Sequence, residues 1–162
     1  MGIEITARRA RPDDVGLLVA LYAGLRSEMV ALHPMWPRAD GFDEPIARSF
    51  ATELDDPDVR IYVGEIDGYP LGFIYGRSEP LKDHEGGVRV VAIRLVFVEE
   101  EARAVSVGEV MRDALMDEFR SMGHRLFDAH VLPGHRLAKN FFEAGGFSAR
   151  TIVMHHDDDR ER

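Results

Sequence analysis

Residues 88–122 read VRVVAIRLVFVEEEARAVSVGEVMRDALMDEFRSM. An apolar, β-branched run, Val88 to Val98, ends in the acidic loop Glu99-Glu-Glu101 and passes directly into an amphipathic helix. Val107, Val110, Met111, Ala114, Leu115, Phe119 and Met122 form one stripe at helical spacing, and Gly123 caps it. The uninterrupted apolar stretches of the strand predict burial on both faces. The joint, Arg103-Ala104-Val105-Ser106-Val107-Gly108, falls at the start of the helix. The first N–H groups of a helix have no partners within it, and their dipoles favour an anion. A strand feeding such a turn is a candidate phosphate cradle.

Outward from this stretch the chain punctuates clearly. Glu4 to Arg9 reads as a first strand within the opening segment Met1 to Arg11. Pro12-Asp-Asp opens a helix, because proline suits the first helical position and carboxylates suit the N-terminal turn. The stripe Val15, Leu18, Val19, Tyr22, Leu25, Met29, Leu32 carries that helix to His33, where Pro34 stops it. Met35 to Gly41 reads as a proline-rich loop, and Asp43 to Leu54 as a second helix. Val59 to Ile66 and Tyr69 to Arg77 are strands joined by Asp67-Gly68, residues that tolerate the positive φ of a tight hairpin. Ser78 to Gly87 reads as a polar, mobile loop. After the long strand and its helix come a strand over Leu126 to Val131, a short helix over Arg136 to Ala144, and a last strand over Phe147 to His155. The order β-α-α-β-β-β-α-β-α-β predicts one mixed α/β domain over residues 1–156, with 157–162 a disordered acidic tail.

Composition narrows the function classes. The chain has 162 residues, 45% apolar, with a formal net charge of -9 and no cysteine. The charge disfavours nucleic acid and anionic membrane, which call for clustered Lys and Arg. It favours cationic small molecules or basic peptides, and it equally serves solubility. Without cysteine there is no disulfide framework, thiolate metal site or cysteine nucleophile. No stretch reads as a signal peptide or as the ~20 apolar residues of a membrane span. His155-His156 lacks the spaced partners of a metal site. A cytoplasmic location is expected.

Element order and two motifs resemble the GNAT superfamily of acetyl-CoA-dependent N-acetyltransferases. Arg103-Ala-Val-Ser-Val-Gly108 stands where that family has Arg/Gln-x-x-Gly-x-Gly/Ala, with Ser106 in place of the first glycine. His135-Arg-Leu-Ala-Lys-Asn-Phe-Phe142-Glu-Ala-Gly-Gly-Phe147 fits its later motif, with His135 for an Asn and Phe142 for a Tyr. The hairpin Tyr62 to Ile74 is similar to the family's second and third strands. The resemblance implies a mixed, mostly antiparallel sheet with helices on both faces, splayed between strands 4 and 5. It implies acetyl-CoA as co-substrate without a metal. Main-chain groups near Phe97 and Val98 would pair with pantetheine, and the amides of Arg103, Ala104, Val105, Ser106, Val107 and Gly108 would bind the pyrophosphate. His135 and Phe142 are the second motif's cofactor-side positions. Trp36, in the region relatives use as a substrate lid, and Arg94, where relatives often place a carboxylate, are candidate acceptor contacts. A homodimer is also implied.

Acyl transfer to an amine needs a base, because an alkylammonium near pKa ~10 is not a nucleophile. The candidates are Glu65, Asp128 and His130, with His135 a further imidazole. Asp128 and His130 lie two apart on a strand and share a face. That spacing suits a carboxylate orienting an imidazole, and equally an ordinary polar sheet face. The expected activity is acetyl transfer to a small-molecule or peptide amine by direct attack. The alternative is a catalytically silent relative that serves as a CoA sensor or interaction domain, as the replacements at Ser106 and Phe142 allow.

Overall fold

The computed structural model describes residues 2–82 and 86–160. Five strands, β1 (Ile5–Arg9), β2 (Val59–Ile66), β3 (Tyr69–Pro80), β4 (Arg89–Val98) and β5 (Phe127–Ala129), form one sheet in sequence order. All neighbours are antiparallel except β4 and β5, which run parallel. One face carries α1 (Val15–Leu32), α2 (Trp36–Ala39) and α3 (Ile46–Asp55). The other carries α4 (Val107–Ser121), with α5 (Arg136–Ala144) packed beside it through Phe141 and Phe142. The mixed α/β class and the helices on both faces agree with the sequence expectation.

Local chemistry explains most boundaries. A 3-10 turn at Pro12–Asp14 leads into α1. The Asp14 carboxylate accepts the Arg11 N–H at 2.7 Å and the Arg8 guanidinium at 2.8 and 2.9 Å. The Arg8 hydrogen bond, more than any other contact, holds Asp14 below the usual carboxylate range. On the inner face of α1, Leu18, Leu21, Tyr22, Leu25 and Met29 are buried. Tyr22 stacks on Phe42 and meets Phe50 edge-on, which fastens α3 to the same face.

The decisive irregularity lies in β4. Tyr75 pairs with Leu95 and Gly76 with Ile93, so Arg94 is an extra residue, a β-bulge. A strand alternates its faces with period two, and one extra residue exchanges them. Before the bulge, Val91 and Ile93 pack with α4. Beyond it, Leu95 and Phe97 pack with α1, and Val96 and Val98 take the α4 side. This exchange lets a single strand feed both cores.

Four expectations are corrected. No strand forms over Phe147 to His155: the segment has no ladder partner, and Ile152, Val153 and Met154 are 77%, 85% and 88% exposed. β-Propensity alone does not order a strand without a neighbour. Met35 to Gly41 is not a plain loop but contains α2. β3 runs on to Pro80 through pairs as far as Pro80–Arg89, so the expected loop begins later; its residues 83–85, like residues 161–162 of the expected tail, lie outside the described residues. Finally, Pro12–Leu32 is a helical stretch long and apolar enough, by length and composition, to cross a membrane. Its leucines and valines carry that composition, and Leu18, Leu21, Tyr22, Leu25 and Met29 turn inward to pack within the domain.

α1 approaches β4 closely at one point. A Cβ on Gly24 would lie 2.6 Å from Cζ of Phe97, a residue 8% exposed. Alanine normally stabilises a helix interior relative to glycine by about 0.5–1 kcal/mol. Here Gly24→Ala is expected to reverse that sign and destabilise by about 1–3 kcal/mol, because a packed ring must move. The urea midpoint reads the change; a midpoint at or above that of the parent chain would contradict the packing described.

Candidate functional site

The sheet opens at the bulge. β5 pairs with β4 only over Val91–Phe127, Ala92–Asp128 and Ile93–Ala129, and the last rung is the His130 N–H donating to the Ile93 carbonyl at 3.0 Å. β4 continues beside β3 for five more residues, to Val98. In an antiparallel pair, alternate residues turn both main-chain groups to the partner. The Glu99 N–H donates to the Leu71 carbonyl at 2.8 Å, which sets the phase. Leu95 and Phe97 therefore pair with β3, and the main-chain groups of Val96 and Val98 face the gap. Of the two sequence candidates, Val98 has its main chain in the gap, whereas Phe97 contributes its ring to the α1 side.

At the far end of the gap lies the joint. A 3-10 turn, Glu100–Val105, ends on Ser106, whose φ of 65° and ψ of 18° place it in the left-handed region. Ser106 is also the N-cap of α4, and its side chain makes no capping bond. The Ser106 carbonyl accepts from Val110 at 3.1 Å. Among the described residues nothing accepts from the N–H groups of Ser106, Val107, Gly108 or Glu109. The strained turn thus aims a set of unpaired donors outward at a helix N-terminus. Ala104 and Val105 belong to the 3-10 turn, and the Val107 side chain is buried in the α4 core. Gly108 lies against Phe141, where a Cβ would sit 3.0 Å from the ring.

A residue absent from the sequence candidates ties the two motifs together. Glu28, on α1, receives Arg103 Nη2 at 2.5 Å on one carboxylate oxygen and lies 3.2 Å from His135 Nε2 on the other. Arg103 Nε donates to the Val98 carbonyl at 2.8 Å, and its guanidinium lies over the Phe97 ring at 5.6 Å. Glu28 thereby bridges the exit of β4 and the start of α5. Arg112, 7% exposed, similarly fastens α4 to α5 by donating to the Phe141 carbonyl at 2.9 Å. Nothing local in the sequence marks either residue; Glu28 reads as one more charge on the outer side of an amphipathic helix.

The other candidates separate. Glu65 accepts from Arg8 at 3.2 Å on β2, with β3 lying between it and β4. Asp128 does not orient His130: it is held bidentate by Arg150 at 2.8 and 2.6 Å, and that hydrogen bonding raises the Arg150 pKa. His130 instead has its Nδ1 3.4 Å from Oδ1 of Asp40, the residue that follows α2. Arg94 is exposed and paired with Glu79 at 2.8 Å. Trp36 does not reach an open pocket: it is 4% exposed, with its ring 6.0 Å from that of Tyr22. Phe142 is 3% exposed and packs edge-on between Phe141 and Phe147. Both aromatic residues are core, a placement their spacing does not reveal. Among the described residues no group of three or more His, Asp or Glu is placed to hold a metal ion.

Comparison with known proteins decides the lineage. Residues 21–147 match the acetyltransferase (GNAT) family. The chain belongs to the GNAT acetyltransferase family. No curated protein sequence matches it. Among solved structures, it is similar to an acetyltransferase from Vibrio fischeri at 26% identity and TM-score 0.62, over 76% of this chain and 95% of that one. It shares its fold with an aminoglycoside N-acetyltransferase in complex with CoA, at 17% identity and TM-score 0.73, over 99% and 98% of the two chains. It also shares it with a ribosomal-protein-alanine N-acetyltransferase from Brucella melitensis biovar Abortus, at 14% identity and TM-score 0.65, over 96% and 100%. In this GNAT chain, Ser106 adopts the backbone conformation that the family's glycine would supply without strain. The replacement leaves the turn open.

A non-glycine residue in the left-handed region costs about 1–2 kcal/mol, partly offset by the greater unfolded-state freedom of glycine. Ser106→Gly is therefore expected to raise stability by up to about 1 kcal/mol, read as a higher thermal midpoint. A clear loss of stability would show that the hydroxyl makes a structural bond.

Proposed function

We propose that this GNAT-family protein transfers the acetyl group of acetyl-CoA to an amine, by direct attack within a ternary complex. One observation carries the reading: the free main-chain groups of Val96 and the free N–H of Val98, whose carbonyl Arg103 occupies, lead straight to the unpaired amides of Ser106 to Glu109. Pantetheine is an extended arm bearing amides, so it suits an unpaired strand edge. A diphosphate suits a helix N-terminus with free donors. Acetyl-CoA supplies an activated carbonyl and a good leaving group. The N–H of Val96 is available to the oxygen of that carbonyl as negative charge develops on it. Phe142 has no proton to give, and the thiolate, of ordinary pKa ~8.5, departs without one.

The acceptor in this reading is a cationic small molecule or a peptide N-terminus. The acidic balance of the chain, -9 overall, supports it by raising the local concentration of cations. Two structural neighbours support it by example: an aminoglycoside acetyltransferase solved with a CoA–acetylneamine bisubstrate analogue, and another solved with sisomicin. A cytoplasmic location belongs to the same proposal. So does a homodimer: β5 is the last strand of the sheet, and the contiguous apolar run Ile152-Val153-Met154 beyond it is the kind of surface that marks association.

Isothermal titration with acetyl-CoA, followed by a thiol-release assay over aminoglycosides, polyamines and peptides, tests the activity. Micromolar binding and acceptor-dependent thiol release are expected. Absence of binding at millimolar acetyl-CoA overturns the proposal, and binding without release from any amine supports the silent alternative. Sedimentation equilibrium tests the homodimer: Val153→Lys is expected to shift a dimer toward monomer, and a parent chain that is monomeric at every concentration contradicts it.

A further inference from the structure

We propose that Asp40 and His130 form the dyad that takes the proton from the acceptor amine, with His130 as the base and Asp40 as its positioning residue. The inference rests on the coenzyme lying in the gap beyond Arg94 and deepens that reading.

The first argument is place. The His130 main chain makes the last rung between β5 and β4, on Ile93, so His130 stands where the two strands part. A diphosphate held at Ser106 to Glu109 fixes the direction of the arm attached to it. That arm runs back along β4 from Val98 toward Arg94, about 13 Å for four residues at roughly 3.3 Å each. Its thioester end then emerges beside Ile93 and Arg94, next to His130. The imidazole is 40% exposed, so an acceptor has access to it.

The second argument is orientation. Asp40 Oδ1 lies 3.4 Å from His130 Nδ1, a separation that closing around substrate can shorten. Asp40 is not on a loose loop. Its N–H donates to the Trp36 carbonyl at 2.9 Å, and Trp36 is buried against Tyr22. A carboxylate on Nδ1 fixes the tautomer with its proton on Nδ1, leaving the Nε2 lone pair free. The burial of Trp36, which removes it from the acceptor pocket, thereby acquires a purpose as the post that carries Asp40.

The third argument is elimination by partner. Asp40, after α2, is the charged group that pairs with His130; Arg94 on β4 and Asp128 on β5 are the charged residues on the two strands that part there. Arg94 is closed by Glu79 and Asp128 by Arg150. Glu65 is held by Arg8, and His135 faces Glu28. Of the imidazoles and carboxylates proposed for catalysis, only His130 combines a place at the opening with a free nitrogen and a dedicated carboxylate.

The step balances simply. The ammonium gives one proton to His130 Nε2, and the freed nitrogen lone pair forms the C–N bond. The C–S bond breaks with its electron pair leaving on sulfur as thiolate. The acylated nitrogen gives its second proton to solvent, and His130 returns its own there as well. Asp40 stays ionised throughout and stabilises the imidazolium.

Two readouts test this on the full-length protein. The first is NMR of the ligand-free chain, following the His130 ring nitrogens against pH. In the parent, the neutral ring is expected to carry its proton on Nδ1. In Asp40→Asn, that preference for the Nδ1 proton is expected to be lost, since the carboxylate that fixes it is gone. The second is the pH profile of kcat/KM by thiol release. Asp40→Asn is expected to lower kcat by about ten- to a hundredfold, with the KM for acetyl-CoA little changed. Asp40→Glu is expected to restore part of the rate, and His130→Gln to abolish the limb. An unaltered His130 tautomer in Asp40→Asn, or a full rate in His130→Gln, overturns the dyad. If that happens while acetyl-CoA still binds, the coenzyme reading stands; if acetyl-CoA does not bind the parent chain, both fall.

Discussion

The extra residue at Arg94 is the constraint from which the rest of the arrangement follows. A regular β4 would keep Leu95 and Phe97 on the α4 face with Val91 and Ile93, leaving α1 nothing to pack on at that end of the sheet. The bulge turns them over, and Gly24 lets α1 settle on the Phe97 ring. The same residue exchanges the main-chain phase, so Val96 and Val98 turn their polar groups away from β3. Main-chain groups left without partners in a fold must find water or a ligand. β5 stops where the bulge begins, and the gap is therefore a necessary product of one inserted residue together with a three-residue strand.

Holding the gap open costs contacts, and α1 supplies replacements. Glu28 reaches across to Arg103 on the β4 side and His135 on the β5 side. These charges are neither fully buried nor fully exposed, the regime in which a hydrogen-bonded ion pair fixes geometry more than it adds stability. The bridge also bears on electrostatics. A carboxylate near a diphosphate site is unfavourable unless neutralised, and Arg103 with His135 surrounds it. The acidic run at Glu99 to Glu101 lies at the start of the 3-10 turn, before the free amides, and Glu99 and Glu100 are at least partly exposed to screening solvent.

Much of the fold is legible from periodicity. The stripes of α1 and α4, the Asp67-Gly68 hairpin and the long β4 all follow from local spacing and turn chemistry. The strand expected over residues 147–155 fails because pairing, not propensity, makes a strand. The site was legible only as backbone: the run from Arg103 to Gly108 announces a turn before a helix, and the turn is there. Its side chains were not legible, because partners distant in sequence decide them. Asp128 and His130 share a strand face, yet Arg150 takes one and Asp40 the other. Glu28 carries no motif, and its role follows from what stands across the gap. Trp36 and Phe142 sit where function was expected, and packing claims both.

The central claim is that β4 beyond Arg94 and the turn before α4 form one continuous surface for acetyl-CoA. Backbone amide chemical shifts on adding coenzyme test it residue by residue. The account predicts the largest changes at Val96, Val98 and Ser106 to Glu109, with the β1–β2 edge unmoved. Saturable binding whose shifts fall elsewhere, or no shifts at those amides, would contradict it.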